Sequence, residues 1–335
     1  MAYTPLKREI HVSEINSYLT CRRRHDYQYN KLIPYEANDR MNFGTVVHAG
    51  LEGALIAKHN KIGDPLEVGS EYALEKSHHL LAAFNKDDEE GYTQLSAALA
   101  DARSVAARAI KWLDVDRWET LVIDGVPAIE ISLSLPIKTR TRTKLMFGCT
   151  QDWVCRDTSN GQCWSFEFKT RKQLTTESLG EVSLQQAAYQ YVLHQKGFPI
   201  EGAMEFCILA AVPKWPKLNK DGTMSRAACA TDWQTYESAL LANNLNPDHY
   251  SDMRAQLEFK EWFRLVPQYR TIDECERTWN QVVVPIAKEI VSRDRPVVVP
   301  VLAKHTCRAC SFLERCMEEL RGYHISFELE VNDDE

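Results

Sequence analysis

Several things are missing from this sequence. No apolar run in its 335 residues is long enough to span a bilayer, and MAYTPLKREI lacks a basic-then-apolar leader pattern. A cytoplasmic chain with no membrane partner is therefore expected. There is no Gly-x₄-Gly-Lys-Ser/Thr loop, no His-Glu-x-x-His and no Gly-x-Ser-x-Gly. ATPase, zinc-protease and esterase readings have nothing to stand on, and any helicase or ATP-driven motor would be a separate protein. Internal repeats and low-complexity segments are absent. Net positive charge is absent too: the balance is −7, which argues against coating nucleic acid by bulk charge. Basic residues are local, in RRR at 22–24 and KTRTRTK at 138–144.

What is present is ordinary for a globular protein, 44% hydrophobic and 26% charged, except for ten cysteines. In a reducing compartment clustered thiols point to metal binding rather than disulfides. Cys149, Cys155, Cys163, Cys207, Cys229 and Cys275 are scattered singly, mostly in strand-like stretches, and read as core.

The first third reads as helical: SEINSYLTCRRRHDYQYN with Ser13 as N-cap, then NFGTVVHAGLEGALIAKH and TQLSAALADARSVAARAIKWL. From about 119 the texture becomes β-rich. VPAIEISLSLPI, KLMFGCT, QDWVCR and CWSFEFKT are short and alternating, and Asn160-Gly161 is a hairpin signal. Ser183 and Gln186 form a capping box for a helix that Gly197 ends, and AMEFCILAAV is a buried strand. A basic, Pro- and Gly-bearing loop, PKWPKLNKDGT, follows, then helices and the strand-like EFKEWFRLVP. The expected parts are an N-terminal helical part at 1–118, an α/β core at 119–215, a C-terminal helical part at 216–326 and a solvated acidic tail at 327–335. Together they would make one integrated α/β domain.

In CWSFEFKTRK, Trp164, Phe166 and Phe168 alternate with Ser165, Glu167 and Lys169. That is the pattern of a half-buried strand, and it puts Glu167 and Lys169 on one face about 7 Å apart. The Asn-Gly hairpin brings Asp152, in GCTQDWVCR, beside them. Two carboxylates this close repel unless a divalent cation lies between them, and oxygen ligands suit Mg²⁺ or Mn²⁺. Such an ion polarises a phosphodiester and acidifies a water, which the lysine can orient or deprotonate. The plain alternative is a salt bridge on a sheet surface.

Asp152, fourteen residues, then Glu167-x-Lys169 resembles the active-site signature of the PD-(D/E)XK nucleases, in particular the RecB-type branch. Gly148 ahead of the aspartate, Gln185 and Tyr189 one turn apart on the following helix, and Gly44-x-x-x-His48 upstream extend the resemblance over residues 13–317. GCTQD departs from the pattern in having one residue more before the aspartate and no proline. The resemblance implies a restriction-endonuclease-like core sheet. It also implies a metal held by Asp152, Glu167, the Phe168 carbonyl and His48, with Lys169 acting on the attacking water. Gln185 and Tyr189 would support the site or touch DNA. Read alone, His48 shares a helical face with Gly44, Leu51 and Leu55 and would be a core histidine. Glu130, in AIEISLSL, has only a weak claim to the site.

CRACSFLERC sets Cys307, Cys310 and Cys316 at metal-chelate spacing, and Cys21 is the candidate fourth ligand. Structural zinc, as Cys₄ or as Cys₃His with His305 or His25, fits that spacing as well as an iron–sulfur cluster does. One early cysteine and a late Cys-x₂-Cys-x₅-Cys resemble the iron–sulfur branch of the RecB-type nucleases, which includes the CRISPR-associated exonucleases. That resemblance implies a [4Fe–4S] cluster clamping the two helical ends. The expected function is a Mg²⁺- or Mn²⁺-dependent DNA exonuclease with a structural cluster. It would act on single-stranded DNA or DNA ends in a prokaryotic or virus-infected cell, alongside recombination, replication or CRISPR adaptation proteins. The rival is an inactive module of the same fold that binds DNA ends or a partner. The basic strip of Lys138, Arg140, Arg142 and Lys144 fits phosphate binding or a solvated strand edge equally well.

Overall fold

A computed structural model describes residues 7–33, 39–84, 88–139, 144–174, 183–227, 230–292, 300–301, 303–308 and 310–321. Cys229, Arg140, Arg142 and the acidic tail lie outside these residues. Nine strands follow one another among the described residues: β1 Lys7–His11, β2 Trp118–Thr120, β3 Val122–Ile123, β4 Val126–Pro127, β5 Ile129–Ile137, β6 Lys144–Asp157, β7 Cys163–Arg171, β8 Gly202–Leu209 and β9 Phe263–Tyr269. The fold is mixed α/β. The chain divides into two compact units, one of Met1–Ala37, Ser134–Cys149 and Glu276–Glu335, the other of Asn38–Leu133 and Thr150–Cys275.

The second unit carries the strands β2–β6–β7–β8–β9 side by side. β6 and β7 form an antiparallel hairpin, and β7 pairs in parallel with β8, from Trp164 opposite Gly202 to Arg171 opposite Leu209. A parallel neighbour requires a crossover. The helix Leu184–Gln195 supplies it, with the Ser183 hydroxyl accepting from Gln186 N and Gly197 at φ +86° beyond its end, as the capping box and stop predict. β9 closes this side antiparallel to β8.

Trp153, Phe166, Phe168 and Phe206 are buried in one cluster with Val46, Leu51 and Leu55 from the helix Asp39–Asn60 and Leu99, Val105 and Ala109 from the helix Glu89–Trp112. CWSFEFKT departs from its half-buried expectation in one respect. Ser165 and Glu167, on the opposite face from the aromatics, are buried as well. The crossover helix covers them: Gln185 bonds Glu167, and Gln151 links the Ser165 hydroxyl to the Tyr189 carbonyl. A further helix, Pro65–Ala82, packs against both long ones, started by Asp64, whose carboxylate accepts from Leu66 N and Glu67 N.

In the first unit β1 runs parallel to the first residues of β6, with His11 opposite Gly148. A Cβ on Gly148 would meet the end of the exposed Glu9 side chain and the His11 ring, which would have to turn aside. The helix Val12–Thr20 starts one residue ahead of Ser13, with His11 in the capping position and no side-chain cap. Ser13 therefore sits inside the first turn, because β1 leads directly into the helix. Cys21 interrupts the helical run with an extended backbone, φ −164° and ψ 115°. Tyr18 and Arg22 bond Glu289 at 2.8 and 2.7 Å, and Tyr27 bonds Glu319 at 2.7 Å, joining early and late stretches of chain. Cys149, Cys155, Cys207 and Cys275 are buried as expected of core thiols, while Cys163 is only half-buried.

Candidate active site

The hairpin register places Trp153 opposite Phe166, so Asp152 and Glu167 face each other one step along, both buried. Asp152 Oδ2 accepts from the Phe168 N–H at 2.7 Å. Glu167 Oε1 meets the Lys169 ammonium, two residues along the same face, and accepts from Gln185 Nε2 at 2.8 Å. Tyr189, one turn beyond Gln185, is buried, and its carbonyl accepts from Gln151 Nε2 at 3.4 Å.

His48 arrives from the helix Asp39–Asn60. Gly44 makes that approach possible, since a Cβ there would stand 3.1 Å from Thr170 Oγ1 on β7. One turn later His48 Nε2 donates to the Phe168 carbonyl at 2.9 Å. That is the spacing of two neighbouring ligands on one octahedral ion with bonds of about 2.1 Å. His48 Nδ1 lies 3.8 Å from Asp152 Oδ2 and 3.9 Å from Glu130 Oε1. A ligand atom from each of His48, Glu130 and Asp152 falls within 4.8 Å of the others. An imidazole nitrogen, carboxylate oxygens and a carbonyl form a donor set that fits a hard divalent cation.

The electrostatics agree with that fit. Burial first, then the charges of Glu167 and Glu130, push the Asp152 carboxyl up to about 7, against His48 and the Phe168 N–H. Burial disfavours charge on His48 and Lys169 as well, yet the surrounding carboxylates raise both. An open cavity of about 710 Å³ leads to this point, lined by His48, Glu130 and Lys169 and by Glu52, Tyr72 and Lys76 from the two helices beside it.

Two further carboxylates near the site, Glu130 and Glu205, carry little signal in the sequence. Glu130 sits on β5 at φ +46°, a left-handed conformation uncommon for any residue but glycine. Glu205 lies opposite Glu167 on β8, buried, accepting from Arg171 Nε at 2.9 Å and Gln268 Nε2 at 3.2 Å. A charged residue inside the apolar AMEFCILAAV was the available signal for Glu205.

In the first unit Cys21, Cys307, Cys310 and Cys316 line one cavity of about 40 Å³. Burial, together with Cys21 and Cys310, pushes the Cys316 thiol up, opposed by Arg23. Among the described residues no three cysteine sulfurs lie within 4.8 Å of one another. His25 is buried with Nε2 3.0 Å from Glu14 Oε1, and His305 is exposed; neither lines the cavity.

Hard ligands gathered where a hairpin meets a crossover helix, with an amine beside them, are the equipment of a metal-dependent hydrolase. The chain belongs to the PD-(D/E)XK nuclease superfamily, which its sequence matches over residues 9–317. Membership implies metal-dependent hydrolysis of phosphodiesters. No curated protein matches the sequence. Among solved structures, one titled "Crystal structure of SSO0001" is similar, with a TM-score of 0.33 and 10% identity over 93% of this chain and 87% of that one. Among the described residues no helix is long and apolar enough to cross a membrane.

Proposed function

We propose that this protein is a Mg²⁺- or Mn²⁺-dependent deoxyribonuclease of the RecB-type branch, acting as an exonuclease and carrying a structural [4Fe–4S] cluster. The observation that carries the catalytic reading is the buried Asp152–Glu167 pair beside Lys169, with His48 already bonded to the Phe168 carbonyl. Asp152, Glu167, the Phe168 carbonyl and His48 would hold the ion. When bound, it polarises the scissile phosphate and acidifies a water. Lys169, held against Glu167 as an ammonium that the surrounding carboxylates favour, would orient that water and offset charge on the phosphorane. Gln185 keeps the Glu167 carboxylate turned toward the site. Tyr189 helps fix the crossover helix through its backbone bond to Gln151.

The shared cavity supports assigning Cys21, Cys307, Cys310 and Cys316 to one cluster. Structural zinc on the same four cysteines is the alternative, and iron and zinc analysis of the purified protein separates the two. Among the described residues no histidine lines the cavity. The substrate would be DNA ends or single strands in the cytoplasm of a prokaryotic or virus-infected cell. Recombination, replication or CRISPR adaptation proteins are the partners this reading entails.

The test is degradation of end-labelled single- and double-stranded DNA with Mg²⁺ or Mn²⁺, using protein purified without oxygen, for wild type and Lys169→Ala. Metal-dependent cutting that disappears in the variant is expected, with the label's position giving polarity. Wild type that binds DNA, holds its iron and cuts nothing with any metal would overturn the enzyme reading in favour of a binding module.

A further inference from the structure

The loop PKWPKLNKDGT and the far end of β7 play no part in the site described above. The basic residues of β7 do not end at Lys169; they continue through Arg171 to Lys172. The Arg171 guanidinium is held by the buried Glu205, while Lys172 is exposed. Lys172 lines an open concavity of about 560 Å³ with Gln173, Leu209, Phe259, Glu261 and Arg264. Lys172 stands three residues, about 10 Å of extended chain, beyond Lys169.

Phe259 is 81% exposed on the rim of this concavity, in the turn between the helix Ser251–Leu257 and β9. A ring so bare adds little burial to the fold and is free to stack on a bound partner, where burying it is worth about 2 kcal/mol. Glu261, the acid in the lining, is engaged by Arg264, whose Nε donates to it at 2.8 Å. β8 runs parallel to β7, so its exit, and the loop after Leu209, emerge at the same end of the sheet as Lys172. That loop exposes Lys214, Trp215, Lys217 and Lys220, with Trp215 at 57%. Pro213 and Pro216 flank the tryptophan and stiffen its backbone.

Exposed rings interleaved with lysines match single-stranded nucleic acid, whose bases stack on aromatic faces while its phosphates meet cations. A duplex keeps its bases stacked on each other and offers the rings nothing. Resting on the nuclease reading, we infer that single-stranded DNA leaves the Lys169 site over Arg171 and Lys172, stacks a base on Phe259, and continues along Lys214, Trp215, Lys217 and Lys220. The active strand is therefore an unpaired one.

The test is fluorescence anisotropy with a labelled oligothymidylate and a duplex of equal length, in EDTA so that nothing is cut. Full-length wild type, Phe259→Ala, Trp215→Ala, the Lys172→Ala/Lys214→Ala pair and Leu241→Ala are compared. Leu241 is exposed on the helix Trp233–Ala242 and serves as a control outside the track. Each aromatic variant should bind the oligothymidylate about five- to a hundredfold more weakly, the range for losing one stacked base. The lysine pair should lower the slope of log affinity against log salt by about 1.4. Leu241→Ala should match wild type, and melting temperatures should stay together because the replaced rings are exposed. Unchanged affinity in both aromatic variants, wild type that prefers the duplex, or wild type that binds neither overturns the track. Because no cutting is read, failure of the nuclease reading shows separately: a wild type that binds through Phe259 and Trp215 but never cleaves keeps the track and loses the enzyme.

Discussion

Glu130 combines a costly backbone with a useful side chain. A left-handed conformation costs a residue with a Cβ about 1–2 kcal/mol, and such strain collects at sites where side-chain placement matters. Here it brings a carboxylate to within 3.9 Å of His48 Nδ1, where it would fix the ring or join the ligands of the proposed ion. Glu130→Gly should therefore hold or raise the melting temperature of metal-free protein while weakening Mn²⁺ binding about 10- to 100-fold, the usual loss when a ligand's supporting carboxylate goes. Calorimetric melting and Mn²⁺ titration of the same preparations check both halves; a glycine variant with undiminished Mn²⁺ affinity removes Glu130 from the site. Asp152, Glu167 and Lys169 were legible in the sequence because one hairpin with a clear turn signal and strict alternation brings them together. Glu130 and Glu205 were not, since their placement depends on β5 pairing with β6 and β8 with β7, and no short-range pattern encodes those pairings.

At the scale of elements, the hairpin that carries both carboxylates is pinned at its turn. Asp157 is buried, takes Arg117 on one oxygen at 2.6 Å and the Ser159 N–H and hydroxyl on the other at 2.9 and 2.6 Å. Arg117 first, then Ser159, hold its carboxyl down at about 2, burial opposing. A carboxyl lowered on folding adds stability above its unfolded value near 4 and loses it as pH falls toward 2. Asp157→Asn should thus cost about 1–2 kcal/mol at pH 7, toward the lower figure because Arg117 is half exposed. The gap from wild type should shrink between pH 4 and 2, as urea unfolding across that range would show; a constant gap would mean the pair contributes only packing. The Asn160-Gly161 signal located this hairpin, although the turn is longer than two residues, with Gly161 at φ +78°. KLMFGCT and QDWVCR read as two strands in the sequence, yet β6 is one strand of fourteen residues that runs on through the polar Thr150 and Gln151, paired with β1 along its first residues and with β7 near its end. Gly44 is the point of close approach on the helical side: Gly44→Val should crowd Thr170 and lower metal affinity about tenfold without unfolding the long helix, measurable by Mn²⁺ titration beside circular dichroism.

For the whole molecule the two proposed metal groups have separate duties, and each can be removed alone. The divalent site lies within the second unit, where two buried carboxylates face each other; an ion there stabilises the folded state by mass action, about 2.7 kcal/mol at a hundredfold excess over its dissociation constant. Millimolar Mn²⁺ should raise the melting temperature of wild type by a few degrees and leave Glu167→Ala unmoved. The four cysteines all belong to the first unit, which is assembled from three stretches of chain, and Cys21 and Cys307 enclose most of the sequence. A cross-link over so long a loop restricts the unfolded chain by up to about 5 kcal/mol on the entropic account. Its packing includes the ring contacts of Tyr27 with Phe312 and Phe147 with Trp279, at separations of 5.5 and 5.1 Å. Cys310→Ala should therefore yield poorly soluble, protease-sensitive protein. Oxidative loss of iron from wild type should speed amide exchange at Tyr27 and Phe312 while Phe166 and Phe206, in the second unit's core, stay protected. A Cys310→Ala protein as stable as wild type, or exchange that rises equally in both units, would show that no cluster clamps this part of the fold.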